Sequence, residues 1–458
     1  MSLVTSYLYH TNDLHSDFTY WPNIVSYLEE KRLHHQRRDE DHFYFDIGDH
    51  ADRCHPITEA TMGKGNVALL NRAGVSAITI GNNEGITFSK QQLDEIYEEA
   101  SFDILIANLY EADGIRPKWI KPYKVIELQA GIKAAVIGVT FPYTSIYEQL
   151  GWKVEDPFQM LQPLIHEVRK KVDIVILLSH LGLNLDENLA EELEGIDIIL
   201  GAHTHHVLEH GKRVRNTLIC QTGKFGQFVG TVELVVDIET KQLVSTQAFL
   251  QTMRNDTTDK KTQAYLAQLK EQSQTWSSSP VTVLQETLEV DWFAESEGVQ
   301  FLAEALKEWC QTEISMLNAG VLLESLPVGP ITKGDIHRIC PHPINPCVIT
   351  IRGKELKDVI IRSRSEEMVN FKLKGLGFRG KVIGQMIFSG ITITENEKKE
   401  PTITVLGTEL QEEEHYRIAT LDMFTFGKLY PSILDAIEIE YLLPEMLRDV
   451  LMWKLQSI

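Results

Sequence analysis

Short apolar runs alternate with segments of helical spacing along the first 250 residues. Runs at 6–10, 42–47, 76–80, 103–107, 124–128, 133–139, 173–178 and 197–200 read as strands. Several are continuously apolar, the pattern of strands covered on both faces by other layers. Between them, 24–38 and 66–73 carry helical spacing. The pair 229–236 and 242–250 reads as a closing hairpin. This order predicts an α/β layered domain over 1–252. Residues 253–280 are polar and helix-prone and end on Ser277-Ser278-Ser279-Pro280, which predicts a linker carrying a helix. Residues 281–458 read as a second, smaller α/β domain. It has an amphipathic helix at 297–311, strands at 314–317, 348–351, 387–393 and 416–420, and a C-terminal helix.

Composition narrows the partners. Acidic residues outnumber basic ones 65 to 44, a formal charge of −21. Nucleic-acid binding runs on Lys and Arg neutralising phosphates, so such a surface argues against it. It argues equally against an anionic membrane surface. A small anionic ligand is still allowed, because local cations override the net field. No stretch approaches the roughly 20 apolar residues of a membrane span. The start of the chain lacks a signal-peptide pattern, so the expected compartment is the cytoplasm. The five cysteines are scattered without a CxxC pair, against a disulfide framework or a zinc ribbon.

Polar residues cluster where the predicted strands end, the place where α/β sheets carry their sites. Three runs end in Thr11-Asn12-Asp13-Leu14-His15, Asp46-Ile47-Gly48-Asp49-His50 and Gly81-Asn82-Asn83-Glu84-Gly85. Two later runs end in Ser179-His180-Leu181-Gly182 and Gly201-Ala202-His203-Thr204-His205-His206. Carboxylate oxygen, imidazole nitrogen and one amide oxygen suit Mn, Zn, Fe, Co or Ni. An aspartate can bridge two such ions while His and Asn fill the flanks. In D-x-H and H-x-H the middle residue points away, so both outer residues can face one site. A single strand-end histidine is ordinarily structural, and His10, His42 and His210 are read that way. Five motifs at five ordered strand ends point instead to a two-metal centre.

These motifs resemble those of the calcineurin-like metallophosphoesterases, and among them the 5′-nucleotidase/UDP-sugar hydrolase family. The family's TNDxHG, GD, GNHE, SHxG and GxHxH stand here as TNDLHS, GDH, GNNE, SHLG and GAHTH. Beyond 250 the likeness thins to Asn318-Ala319-Gly320, 329–335 and 416–420. The resemblance implies one metal held by Asp13, His15, Asp49 and His205. It implies a second held by Asp49, Asn82, His180 and His203, with Asp49 bridging. A water or hydroxide between the metals would attack phosphorus in line. The C-terminal domain would supply the nucleoside-binding residues, with the site between the domains.

The chain departs from the family at two places. Asn83 replaces the family histidine that contacts the phosphoryl group. Asparagine donates a hydrogen bond but carries no proton or positive charge. General-acid help is worth about 10²–10⁴-fold, so poor leaving groups should suffer most. The family's phosphate-gripping arginine is Leu323 here, and Arg379, in Gly377-Phe378-Arg379-Gly380, is the candidate to replace it. Asn318 is carried over as a substrate contact, and Phe424, Phe426 and Tyr430 as candidates to stack on a base. The loop Cys340-Pro341-His342-Pro343-Ile344-Asn345-Pro346-Cys347 is read as structural rather than metal-binding.

The resemblance therefore implies a metal-dependent phosphoesterase of 5′-nucleotidase type with a nucleotide or related small phosphate as substrate. Two other readings start from the same residues. Joint loss of the histidine and the arginine would suit a metal- and nucleotide-binding regulator with weakened turnover. Retained ligands with Asn83 would suit hydrolysis of phosphodiesters or nucleotide-sugar pyrophosphates. The sequence does not set the oligomeric state.

Overall fold

A computed structural model describes residues 2–254, 257–395, 401–427 and 429–458. The chain divides into two compact units, Met1–Gln272 and Ser273–Ile458, and the division falls within the helix Lys260–Ser277. No helix among the described residues is long and apolar enough to cross a membrane.

Unit 1 is built on two sheets. The first has seven strands, in the order Leu243–Thr252, Phe228–Asp237, Leu3–Thr11, Asp41–Asp46, Ala77–Ile78, Asp103–Leu105 and Ile120–Lys121. The second has six, in the order Lys212–Val214, Thr217–Cys220, Ile198–Gly201, Ile174–His180, Ile132–Thr140 and Tyr123–Leu128. Leu8, Phe45 and Leu105 of the first sheet pack with Val136, Ile176, Leu178 and Leu200 of the second. The alternate residues Ile137, Val139, Val175, Leu177 and Ile199 turn outward and pack with Leu161, Ile165 and Leu189 of the helices Pro157–Val168 and Leu183–Glu192. Successive strand side chains point to opposite faces, so a strand buried on both faces needs a continuous apolar run. That is why 173–178 reads as unbroken hydrophobicity in the sequence.

Register brings the strand ends together. Thr11 lies beside Asp46, and Asp46 beside Ile78, in parallel pairs. In the second sheet His180 lies beside Thr140, and Ser179 beside Gly201, again in parallel. Chemistry-bearing loops therefore leave each sheet along one edge.

The closing hairpin carries a tight constraint. His10 pairs with Gly230 across the antiparallel strands. A Cβ at Gly230 would stand 2.1 Å from His10 Nε2, and His10 is buried. Gly230→Ala is expected to destabilise unit 1 by about 1–3 kcal/mol through overpacking. A thermal melt should show Tm falling by several degrees, on the order of 2–4 °C per kcal/mol for a unit of this size. An unchanged melt would remove the argument.

Unit 2 contains a five-stranded sheet in the order Met386–Ser389, Ile314–Asn318, His415–Leu421, Pro346–Arg352 and Glu438–Tyr441. The helix Glu297–Trp309 packs against it, burying Val299, Leu302, Ala303 and Leu306 at helical spacing. The run expected as one strand over 387–393 is two, Met386–Ser389 and Ile391–Glu395, in different sheets. Gly390 between them has φ 78°, and a Cβ there would meet the Glu313 carbonyl at 2.6 Å. Glycine at that point lets the chain break from one sheet into the other.

Candidate metal centre

The first three motifs follow their strands directly. Asp13 and His15 lie in the turn after Leu3–Thr11, and Asp49 in the turn after Asp41–Asp46. Asn82 opens the short helix Asn82–Thr87, His180 ends its own strand, and His203 and His205 follow Ile198–Gly201. Backbone bonds tie the turns to each other: Asp13 N–H donates to the Gly48 carbonyl at 3.0 Å and His15 N–H to the Asp49 carbonyl at 2.8 Å. Asp13, His15, Asp49, His203 and His205 all hold left-handed backbone, with φ of 51°, 49°, 51°, 71° and 57°. Non-glycine residues rarely take this region, and strained backbone tends to gather at functional sites.

The side chains converge. Asp49 Oδ2 lies 3.7 Å from His15 Nε2 and 3.5 Å from His180 Nε2. Asp13 Oδ1 lies 3.3 Å from His205 Nε2, 3.8 Å from His15 Nε2 and 4.0 Å from His180 Nε2. His15 Nε2 and His205 Nε2 face each other at 3.1 Å. His203 Nδ1 stands 2.9 Å from Asn82 Oδ1. Two groups of donors fall within 4.8 Å: Asp13, His15 and His205, and Asp13, Asp49 and His180. All seven sequence-derived candidates therefore meet in one place. Both aspartates stand between the histidines, so the geometry gives Asp13 as central a position as Asp49.

The donor set fits divalent cations. The Ile47 carbonyl only accepts, so His180 Nδ1, 2.6 Å from it, must carry the hydrogen. His180 is fully buried, and its Nε2 has no hydrogen-bond partner. A buried polar atom without a partner is costly, and a cation between Nε2 and the carboxylates would satisfy it. His15 differs: its Nδ1 lies 3.3 Å from Asp52 Oδ2 and 2.9 Å from Asn83 Nδ2, and its Nε2 faces His205. Without a cation, protons take that place. Burial lowers the His180 pKa, but the Asp49 and Asp13 carboxylates outweigh it and push it up to about 10. His203, lowered by burial and by the charge on His180, falls to about 4.

Glu84 is a part of the site to which the sequence reading gave no role. Its carboxylate accepts the backbone N–H of Asp49 at 2.9 Å, of Ala51 at 2.7 Å and of Gly81 at 2.9 Å. It clamps the turn bearing Asp49 to the turn bearing Asn82. Burial and the Asp49 carboxylate raise its pKa to about 7. Glu84 is the third residue of its helix, the position of a capping-box acid, and that spacing was the available signal. Asn12 is a second tie, donating to Asp13 Oδ2 at 2.7 Å and to the Gly223 carbonyl at 2.8 Å.

Asn83 is buried, and its side chain is turned inward. Its Nδ2 lies 3.0 Å from Asp49 Oδ2 and 2.9 Å from His15 Nδ1, and its backbone N–H donates to Asp49 Oδ1 at 2.8 Å.

The substrate candidates of unit 2 fare differently. Phe424 and Tyr430 are corrected: both are fully buried in the unit 2 core, edge to face at 5.3 Å, with no open ring face for a base. Asn318 is likewise inside, donating to the Ile383 carbonyl at 2.6 Å. Phe426 and Arg379 are partly exposed. Arg379 N–H donates to His342 Nδ1 at 2.8 Å, and His342 stacks flat on Phe378 at 5.2 Å. Cys340 and Cys347 are free and buried, and burial raises both thiols, Cys340 to about 12. Such thiols make poor metal ligands, which fits the structural reading of that loop.

A further histidine cluster, His34, His35 and Glu40, lies within ligand distance in unit 1. His35 is already committed to Glu40 at 2.8 Å and to the Tyr9 hydroxyl at 2.7 Å, and Arg38 holds the other Glu40 oxygen. It reads as a closed ion-pair network.

Comparison with known proteins agrees with this architecture. Residues 7–207 match the calcineurin-like phosphoesterase family, and residues 277–429 match the 5′-nucleotidase C-terminal domain. The chain is 46% identical over 454 residues to the uncharacterized metallophosphoesterase YunD of Bacillus subtilis, covering 98% of each chain. It is 24% identical to the trifunctional nucleotide phosphoesterase protein YfkN of the same organism, over 77% of this chain and 27% of that one. In fold it is similar to a putative 5′-nucleotidase from Staphylococcus aureus, with a TM-score of 0.70 and 20% identity, covering 99% of this chain and 97% of the other. The NAD nucleotidase of Haemophilus influenzae gives 0.70 and 16%, covering 100% and 97%. The chain belongs to the calcineurin-like metallophosphoesterases that carry a 5′-nucleotidase C-terminal domain, hydrolases of phosphoric esters.

Proposed function

We propose that this metal-dependent phosphoesterase hydrolyses a nucleotide or a related small phosphate, using two divalent ions held by Asp13, His15, Asp49, Asn82, His180, His203 and His205. The reading rests chiefly on one observation, the convergence of His15, His180 and His205 on two buried carboxylates, with the Asn82–His203 pair beside them. When bound, the ions supply Lewis-acid activation of water and neutralise charge on the phosphoryl oxygens. The chain's own residues hold and orient. The Ile47 carbonyl sets the tautomer of His180, leaving its Nε2 free to ligate. Glu84 fixes the turn on which Asp49 sits.

Asn83 supplies no titratable proton, so the leaving group must depart without its help. Rates should therefore depend steeply on leaving-group acidity. The metal-loaded protein is expected to cleave an aryl phosphate or a phosphoanhydride faster than a nucleoside 5′-monophosphate, within the roughly 10²–10⁴-fold range that general acids contribute. A panel of nucleotides, sugar phosphates, dinucleotides and p-nitrophenyl phosphate, assayed with Mn, Co or Zn, tests this. No phosphate release from any member would defeat the substrate assignment. Equal rates on aryl and alkyl esters would defeat the role given to Asn83.

A further inference from the structure

Asn83 turns its backbone N–H toward Asp49 and its Nδ2 toward Asp49 and His15, at the centre rather than outward. The phosphoryl group of a substrate must then find its hydrogen-bond donor elsewhere on the chain. The strand Ile132–Thr140 ends beside His180, and the loop that follows it is Phe141-Pro142-Tyr143. Phe141 stacks on the His203 ring, centroids 4.9 Å apart and planes 27° from parallel. Tyr143 lies against Phe141 at 4.6 Å and stands edge-on to His203 at 6.4 Å. Both aromatic residues are half-buried at the rim. Tyr143 also caps the helix Thr144–Gln149, which packs on the helix bearing Asn82 and Asn83.

We propose that Tyr143 is a further catalytic residue: its phenol O–H donates a hydrogen bond to a non-bridging phosphoryl oxygen of the substrate. The proposal rests on the phosphoesterase reading of the same site. A phenol with its ordinary pKa of about 10 is protonated at neutral pH. The edge-on contact of its ring with His203, centroids 6.4 Å apart, sets Tyr143 beside the metal centre. No proton is transferred; the O–H bond stays intact while charge builds on the phosphoryl oxygens. Such a donor is worth most in the transition state, when those oxygens carry the most charge.

The test is Y143F in the metal-loaded, full-length protein, with p-nitrophenyl phosphate and a nucleoside monophosphate as probes. Expected is a fall in kcat of about 10²-fold on both substrates. Metal content and Tm should match the wild type. A fall confined to the alkyl ester would place the phenol on the leaving group and overturn the assignment. Loss of metal together with activity would make Tyr143 structural and overturn it too, as would unchanged kinetics. Wild-type protein inactive on both probes would instead strike the phosphoesterase reading itself, which separates the two failures.

Discussion

Asp49→Asn is expected to lower kcat by at least about 10³-fold and to weaken metal binding. The substitution keeps size and shape but removes a charge from the position 3.7 Å from His15 Nε2 and 3.5 Å from His180 Nε2. An amide offers one neutral oxygen where the proposed pair of cations would need a shared anion. Metal ions contribute several kcal/mol of transition-state stabilisation, and each 1.36 kcal/mol is a factor of ten in rate. A second readout does not depend on turnover. Added Mn or Zn should raise the Tm of the wild type, because a ligand bound only by the folded state stabilises it. That rise should be largely lost in Asp49→Asn. An Asp49→Asn protein with wild-type activity and an intact metal-induced rise would show that Asp49 is not a shared ligand.

Gly81→Ala should cost nearly as much without touching a ligand. A Cβ on Gly81 would stand 2.0 Å from Asp49 Oδ1 and 2.5 Å from His180 Cε1. Gly81 has ordinary backbone dihedrals, φ −94° and ψ −173°, so its glycine answers a need for space and not for conformation. The added methyl must push aside two ligands at once. A misplacement of about 1 Å in a reacting geometry can cost around 10²-fold. The expected result is a folded protein with reduced metal content and kcat lowered by about 10²-fold or more. Circular dichroism and metal analysis separate this from misfolding. Full activity in a folded Gly81→Ala protein would mean that the site rearranges freely, against the tight clamp Glu84 makes on Gly81, Asp49 and Ala51.

The clustering of the candidate ligands was legible because a strand end fixes where its next few residues go. Asp13, Asp49 and His180 needed only the strand assignments and the order of the motifs. Residues that act through neighbours left fainter traces. Glu84 reaches three backbone N–H groups in two separate turns, a relation visible only once those turns meet. Tyr143 sits on a strand end that carried no motif, so nothing in its spacing marked it. Phe424 and Tyr430 went the other way: a loop position suggests exposure, yet both rings fill the core beneath their own loop. Gly390 shows the same limit in the fold, since an apolar run cannot announce that one residue within it takes φ 78° and sends the chain to another sheet.

Five of the proposed ligands, held in left-handed backbone, have a consequence for which ion the protein accepts. Their turns are tied to each other by backbone bonds before any ion arrives, as from Asp13 to Gly48 and from His15 to Asp49. Such a cradle cannot breathe to suit its guest. Calcium prefers oxygen at about 2.3–2.6 Å in loose shells of six to eight ligands, which a flexible loop can supply. Small transition ions prefer nitrogen and oxygen nearer about 2.0–2.2 Å. A stiff, histidine-rich cradle thus discriminates by size as well as by donor type, so calcium should compete poorly with zinc or manganese even in large excess.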